Sequence, residues 1–142
     1  MIRKLKNTDI DKLMDIWLES TVRAHSFISR EYWESNYKVV KDEYIPMSET
    51  FVYEENEEIK GFVSIINNEF IGALFVDVKF QGRGIGTKLI DYSIGKYKKL
   101  TLAVYKENQK SVEFYTRKRF KIIKEGLNED SGYPEYIMEN KI

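Results

Sequence analysis

The segment from Phe70 to Tyr97 constrains this chain more than any other. A near-continuous apolar run, Phe70 to Val78, reads as a buried strand. Gly82, Gly84 and Gly86 follow it. Ile85, Leu89, Ile90, Ile94 and Tyr97 then recur at the spacing of one helix face. Strand, glycine loop, helix is how a chain aims bare backbone N–H groups at a phosphate. The first helical turn has N–H groups without intrahelical partners, its end carries partial positive charge, and glycine lets an anion approach closely. The segment therefore points to a phosphate-bearing ligand, against the plainer reading of a glycine-rich turn that binds nothing.

Spacing selects among the ligands. A Walker loop requires Lys followed by Ser or Thr after its last glycine, whereas here Thr87 precedes Lys88. A dinucleotide fingerprint requires Gly-x-Gly-x-x-Gly. Gly82, Gly84 and Gly86 put the third glycine out of that register, although Glu107 stands about 20 residues on, where the fingerprint expects an acid. A third pattern, Gln/Arg-x-x-Gly-x-Gly/Ala, is met by Gln81, Gly84 and Gly86. Downstream, Leu100 to Val104 reads as a strand that returns from a helical crossover and so runs parallel to the strand ending near Val78. Asn108 and a short helix from Gln109 to about Lys118 follow, with Phe114, Tyr115 and then Phe120.

These blocks, Gln81-Gly84-Gly86 and then Asn108, Ser111, Phe114, Tyr115 and Phe120 in order, resemble the coenzyme A loop and following helix of the GNAT superfamily of N-acetyltransferases. The resemblance covers about residues 50 to 140 well and the N-terminal third loosely, where Trp17, Ser20, Thr21, His25, Phe27 and Ile28 resemble small bacterial members. Arg119 stands where the family usually has glycine, which bears on the turn and not on the chemistry. The resemblance implies an α/β (α+β) fold, a mixed, mostly antiparallel sheet with a splayed parallel pair flanked by helices. It also implies acetyl-CoA as co-substrate, with no metal.

It further implies roles for named residues. Gly82, Arg83, Gly84, Ile85, Gly86 and Thr87 offer backbone N–H groups to the pyrophosphate, with Gln81 shaping the loop. The main chain of Leu74, Phe75 and Val76 pairs with the pantetheine arm as an added strand does, and a backbone N–H near Phe75 serves as oxyanion donor. Asn108 bonds the arm or fixes its loop. Tyr115 is the general acid, since a phenol keeps its proton at neutral pH. The base stays open between Glu69, His25 and a water chain. Phe27 and Phe70 line the acceptor pocket or simply pack. The acceptor is a primary amine, a protein lysine or N-terminus or a small molecule, and the acidic stretch Asn128-Glu129-Asp130 suits a cation. Two other readings stand beside this one: a non-catalytic CoA-binding sensor or partner module, and a nucleotide-dependent enzyme that uses the glycine loop differently.

Composition removes other classes. The 142 residues show no compositional break, so one domain over residues 1–142 is expected. No cysteine is present, which excludes a thiolate nucleophile, and the single histidine excludes a histidine-cluster metal site within one chain. The 23 basic and 23 acidic residues leave no basic excess for nucleic acid. No apolar stretch approaches a membrane span, and the basic start, Met1 to Lys6, leads into no signal-peptide core. A cytoplasmic monomer or homodimer with no nucleic-acid or membrane partner is the expectation. Elsewhere the pattern predicts a strand over Ile2–Leu5 and a helix capped by Thr8 that breaks from Ser20. A second helix, from about Arg30, is halted by Pro46. An antiparallel meander follows over Thr50–Glu54, Ile59–Ile66 and Glu69–Val78. The last strand pair places Pro134 at a sheet edge.

Overall fold

The computed structural model describes residues 1–141. β1 (Ile2–Lys4), β2 (Glu49–Glu55), β3 (Glu58–Ile66) and β4 (Phe70–Val76) pair antiparallel in succession. β5 (Thr101–Tyr105) runs parallel to β4, and β7 (Pro134–Asn140) and β6 (Phe120–Leu127) complete the sheet antiparallel, in the order β1-β2-β3-β4-β5-β7-β6. This is the mixed sheet with one parallel pair that the sequence predicts. The hairpins turn on left-handed residues: Asn56 and Glu57 at φ 54° and 62°, Asn67 and Asn68 at 54° and 60°.

Alternation along the strands feeds two cores. Val52 and Phe62 pack with Leu13, Met14 and Trp17 of α1 (Ile10–Ala24) and Trp33 of α2 (Arg30–Val39). Their neighbours Phe51 and Val63 face the other way. There they meet Leu89 and Ile90 of α4 (Ile85–Tyr97) and Tyr115 of α5 (Gln109–Arg117). Helices thus cover both faces, and the glycine loop lies between the end of β4 and the start of α4.

Four local expectations are corrected. A 3₁₀ turn, Asn7–Asp9, precedes α1, so Thr8 is not its cap; the Asp9 carboxylate instead accepts the Lys6 N–H at 2.7 Å and is clamped by Arg3 at 2.8 and 3.1 Å. α1 runs on to Ala24, leaving only residues 25–29 as the break. Pro46 does not halt the second helix. α2 passes through a π-turn, Val40–Tyr44, into α3 (Ile45–Met47), and Ile45 N–H donates to Val40 O, so the proline meets a ladder already shifted by one residue. Pro134 is not on an edge: β7 lies between β5 and β6, and the proline occupies the first position of the strand, which tolerates it.

Candidate active site

The sheet opens at its parallel pair. β4 and β5 share only two register pairs, Phe70 with Thr101 and Ile71 with Leu102. Beyond them β3 and β4 slip register: Ile65 faces Ile71 but Ser64 faces Ala73, leaving Gly72 as the extra residue of a bulge. A bulge bends its strand, and this one turns β4 away from β5. A Cβ at Gly72 would lie 2.9 Å from Ile66 Cδ1. Gly72 and Ala103, in the middle of a seven-stranded sheet, are both exposed.

The resulting cleft has a volume of about 710 Å³, within the range of small-molecule sites. Leu74, Phe75 and Val76 form one wall. Asp77 N–H donates to Lys60 O at 2.8 Å, which makes Asp77 and Lys60 a hydrogen-bonded pair. Alternation makes Phe75 and Phe62 another and turns the N–H and C=O groups of Leu74 and Val76 toward the gap. Ser20 Oγ and Gln81 Nε2 both donate to Val76 O at 3.0 Å. Leu74 N–H, Leu74 C=O and Val76 N–H remain for a ligand. Phe75 lines the cleft, but its polar backbone is spent on β3, so of the three main chains expected to meet the arm Leu74 and Val76 are left free, and an oxyanion donor near Phe75 would be one of these neighbours.

The glycine loop closes one end. Asp77 caps the turn Val78–Phe80 by accepting Lys79 N–H at 3.0 Å, so β4 ends two residues before the apolar run does. Gly82 and Gly84 sit at φ 79° and 83°, and Gly84 is the residue before α4. Neither would find a neighbour within 4 Å of an added Cβ, so their glycines serve backbone conformation and open approach. Among the described residues, no protein acceptor takes the N–H groups from Gly82 to Thr87; the first helical bond of α4 is Lys88 N–H to Gly84 O. Gln81, Gly82, Gly84, Ile85, Gly86 and Thr87 line the cleft, as do Arg23, Lys110, Arg117, Glu107 and Glu113. Arg83 does not: its guanidinium lies over the Phe80 ring at 5.5 Å.

Asn108 forms the opposite wall, where its Oδ1 accepts Ser111 N–H at 3.3 Å and caps α5. Its Nδ2 lies 3.3 Å from His25 Nε2. His25 is buried among Phe27, Trp33 and Tyr105, and its Nδ1 is 2.8 Å from Thr21 O. Burial pushes the imidazole below its ordinary pKa, against a smaller upward pull from Thr21 O. A neutral ring with both nitrogens engaged has no free lone pair for an amine, so the expectation of His25 as base is not met.

The other expected site residues divide. Tyr115 is 8% exposed and packs edge-on to Phe114 and Phe120 in the core beside the cleft; Phe114, turned by about 100° on the helix, is the residue on the wall. Burial drives the Tyr115 phenol well above its ordinary pKa, and among the described residues nothing hydrogen-bonds it. Glu69 is exposed where the parallel pair is closed. Its carbonyl accepts Thr101 N–H at 2.8 Å, and Leu74 lies about 16 Å further along the strand. Phe70 pairs with Thr101 at the same closed end, and Phe27 packs on Tyr105 and Tyr133; neither lines the cleft. Glu69 and Phe70 thus lie at the closed end of the parallel pair, off the lining of this cleft. Sequence reasoning missed Gly72, whose signal was a lone glycine inside a strand run. It also missed Ser20 and Arg23, whose roles no local pattern announces.

A sheet opened at one parallel pair, with strand-edge amides along the gap and unclaimed N–H groups at its end, defines a binder of an extended, amide-bearing ligand that carries phosphate. Residues 16–140 match the family model described as an acetyltransferase (GNAT) domain, and the chain belongs to that family of N-acetyltransferases, which use acetyl-CoA. It is 35% identical over 138 residues to the peptidyl-lysine N-acetyltransferase YiaC of Escherichia coli K12, covering 97% of this chain and 94% of that protein. It is 30% identical to the peptidyl-lysine N-acetyltransferase YjaB of Salmonella typhimurium, covering 94% and 91%. The solution structure of apo YjaB from Escherichia coli superimposes with a TM-score of 0.85 at 25% identity, over 98% of this chain and 95% of that one. The cleft fits the cofactor: strand-edge groups for pantetheine amides, free N–H groups for the pyrophosphate, and Arg23, Lys110 and Arg117 on the lining beside Glu107 and Glu113.

Proposed function

We propose that this chain acetylates lysine side chains of proteins, in the cytoplasm, with Tyr115 as the proton donor to the departing sulfur. The observation that carries the acceptor class is the similarity to YiaC along nearly the whole chain. Acetyl-CoA supplies an acyl carbon open to attack by an amine and a thiol leaving group. Leu74 N–H or Val76 N–H, held by strand pairing behind it, faces the oxygen on which charge develops. Tyr115 packs in the core behind the wall residue Phe114 and does not line the cleft, so this role requires its 8% exposed side chain to reach the sulfur when the cofactor is bound. Burial keeps its proton on through the neutral range, and among the described residues nothing hydrogen-bonds it. With His25 engaged and Glu69 outside the cleft, the amine gives its proton to solvent.

The test is incubation with acetyl-CoA and lysine peptides whose α-amines are blocked, scored by released thiol and by mass. Acetylation at lysine supports the proposal. Transfer only to polyamines or other small amines overturns the acceptor class. Tight binding of coenzyme A with no transfer to any amine favours the sensor reading.

A further inference from the structure

Thr21 and His25, one helical turn apart, meet the distant Asn108 where the end of α1 touches the loop after β5. A carbonyl can only accept, so the 2.8 Å contact between His25 Nδ1 and Thr21 O places the ring proton on Nδ1. Thr21 Oγ1, at 3.1 Å, lies on the same nitrogen. Nε2 then carries a lone pair, and the Asn108 Nδ2 group at 3.3 Å donates to it. This fixes Asn108 from both ends, because its Oδ1 accepts the Ser111 N–H. Flipping the amide would set donor against donor at Ser111 and acceptor against acceptor at His25. The orientation that remains leaves Asn108 one N–H and one lone pair, the complement of an amide, on the lining of the cleft that Leu74 and Val76 also line.

We infer that His25 is a positioning residue: through its Nε2 lone pair it sets the orientation of the Asn108 amide, and so the grip of the cleft on the pantetheine arm. The inference rests on the acetyl-CoA reading of the cleft. It gives the histidine a role other than base and couples the aromatic cluster between α1 and α2 to the cofactor. It also carries a sign. A proton on Nε2 would face the Asn108 N–H₂ with a second donor, and Asn108 cannot escape by flipping without losing its bond to Ser111. Grip therefore weakens once His25 is protonated. The ring faces Thr21 on α1, Phe27 in the turn, Trp33 on α2, Tyr105 on β5 and Asn108 after it. Tyr105 is the titratable group among these, and its hydroxyl donates to Ser131 at 2.9 Å. Burial lowers the His25 pKa, so the loss falls below the ordinary histidine value of about 6.5.

The chain has a single histidine, so its ring nitrogens can be read by ¹⁵N NMR in the intact protein. The expected spectrum is the Nδ1–H tautomer near neutral pH; the Nε2–H tautomer would overturn the inference. Calorimetric titration with coenzyme A gives the second readout. His25→Leu should weaken binding roughly tenfold, as one lost polar contact does. In an Asn108→Ala background the same change should cost nothing further, since the effect runs through Asn108. His25→Gln keeps an acceptor near Nε2 and cannot be protonated. It should bind within about threefold of wild type near pH 7.5 and show no weakening at acid pH, where wild type weakens. Equal losses from His25→Leu with and without Asn108, or a His25→Gln variant that binds normally but has lost turnover, would overturn the inference. Wild-type protein that fails to bind coenzyme A would instead remove the reading beneath it.

Discussion

Gly84 offers a direct test of the loop, because its backbone cost and its ligand cost can be separated. The residue sits at φ 83°, and an added Cβ meets nothing within 4 Å, so Gly84→Ala strains the backbone alone in the free protein. A non-glycine residue in the left-handed region costs about 1–2 kcal/mol. For a chain of this length that lowers Tm by roughly 4–8 °C. Gly132 is the matched control: φ 79°, nothing within 4 Å of its Cβ, and a position in the β6–β7 loop away from the cleft. Gly132→Ala should lose a similar amount. The two variants part when acetyl-CoA is added. At about one hundred times its Kd a ligand stabilises the native state by about 2.7 kcal/mol, or roughly 10 °C here. Gly132→Ala should show that full rise. Gly84→Ala puts a methyl group where the diphosphate approaches, and a tenfold loss of affinity halves the rise at the same ligand concentration, to about 1.4 kcal/mol. Differential scanning fluorimetry reads all four values. An undiminished rise in Gly84→Ala would refute the claim that these backbone amides grip the ligand.

Tyr115→Phe should lower kcat by about a hundredfold or more while leaving coenzyme A affinity and Tm close to wild type, since among the described residues the hydroxyl has no hydrogen-bond partner to lose; unchanged kcat in a peptide assay would move the proton donor elsewhere. Arg3→Met breaks the clamp on Asp9 and Glu54 and should lower the urea unfolding midpoint at neutral pH. The Arg3 hydrogen bonds hold the Asp9 carboxyl below its ordinary pKa, so this contribution is present above about pH 4 and drains as pH falls through the folded value. Arg3→Met should therefore flatten the acid limb of the stability curve, and a parallel limb would show that other carboxylates set it. Arg119 sits at φ 70°, so Arg119→Gly should raise Tm by roughly 4 °C, measured by calorimetry.

What the sequence disclosed and what it hid separate along a physical line. Gly82 and Gly84 and the asparagine turns at Asn56 and Asn67-Asn68 were legible because each is dictated by the steric freedom of that one residue. The opening in the sheet was legible only through family resemblance. Gly72 announces a kink, but whether the kink parts β4 from β5 depends on how Ser64 and Ile65 register across from it, which no run of residues in β4 contains. Direction is harder still. One residue separates Phe114 on the cleft wall from Tyr115 in the core, and one separates Val76, open to the gap, from Phe75, committed to β3. Both choices are phases of a helix or strand, fixed by packing from elsewhere. His25 shows the limit most clearly. As an isolated imidazole near neutral pKa it reads as a base. It becomes something else only because Asn108, 83 residues on, donates to the lone pair a base would need. A residue's type sets what it can do, but the partner that arrives from the far end of the chain decides which of those capacities is left free.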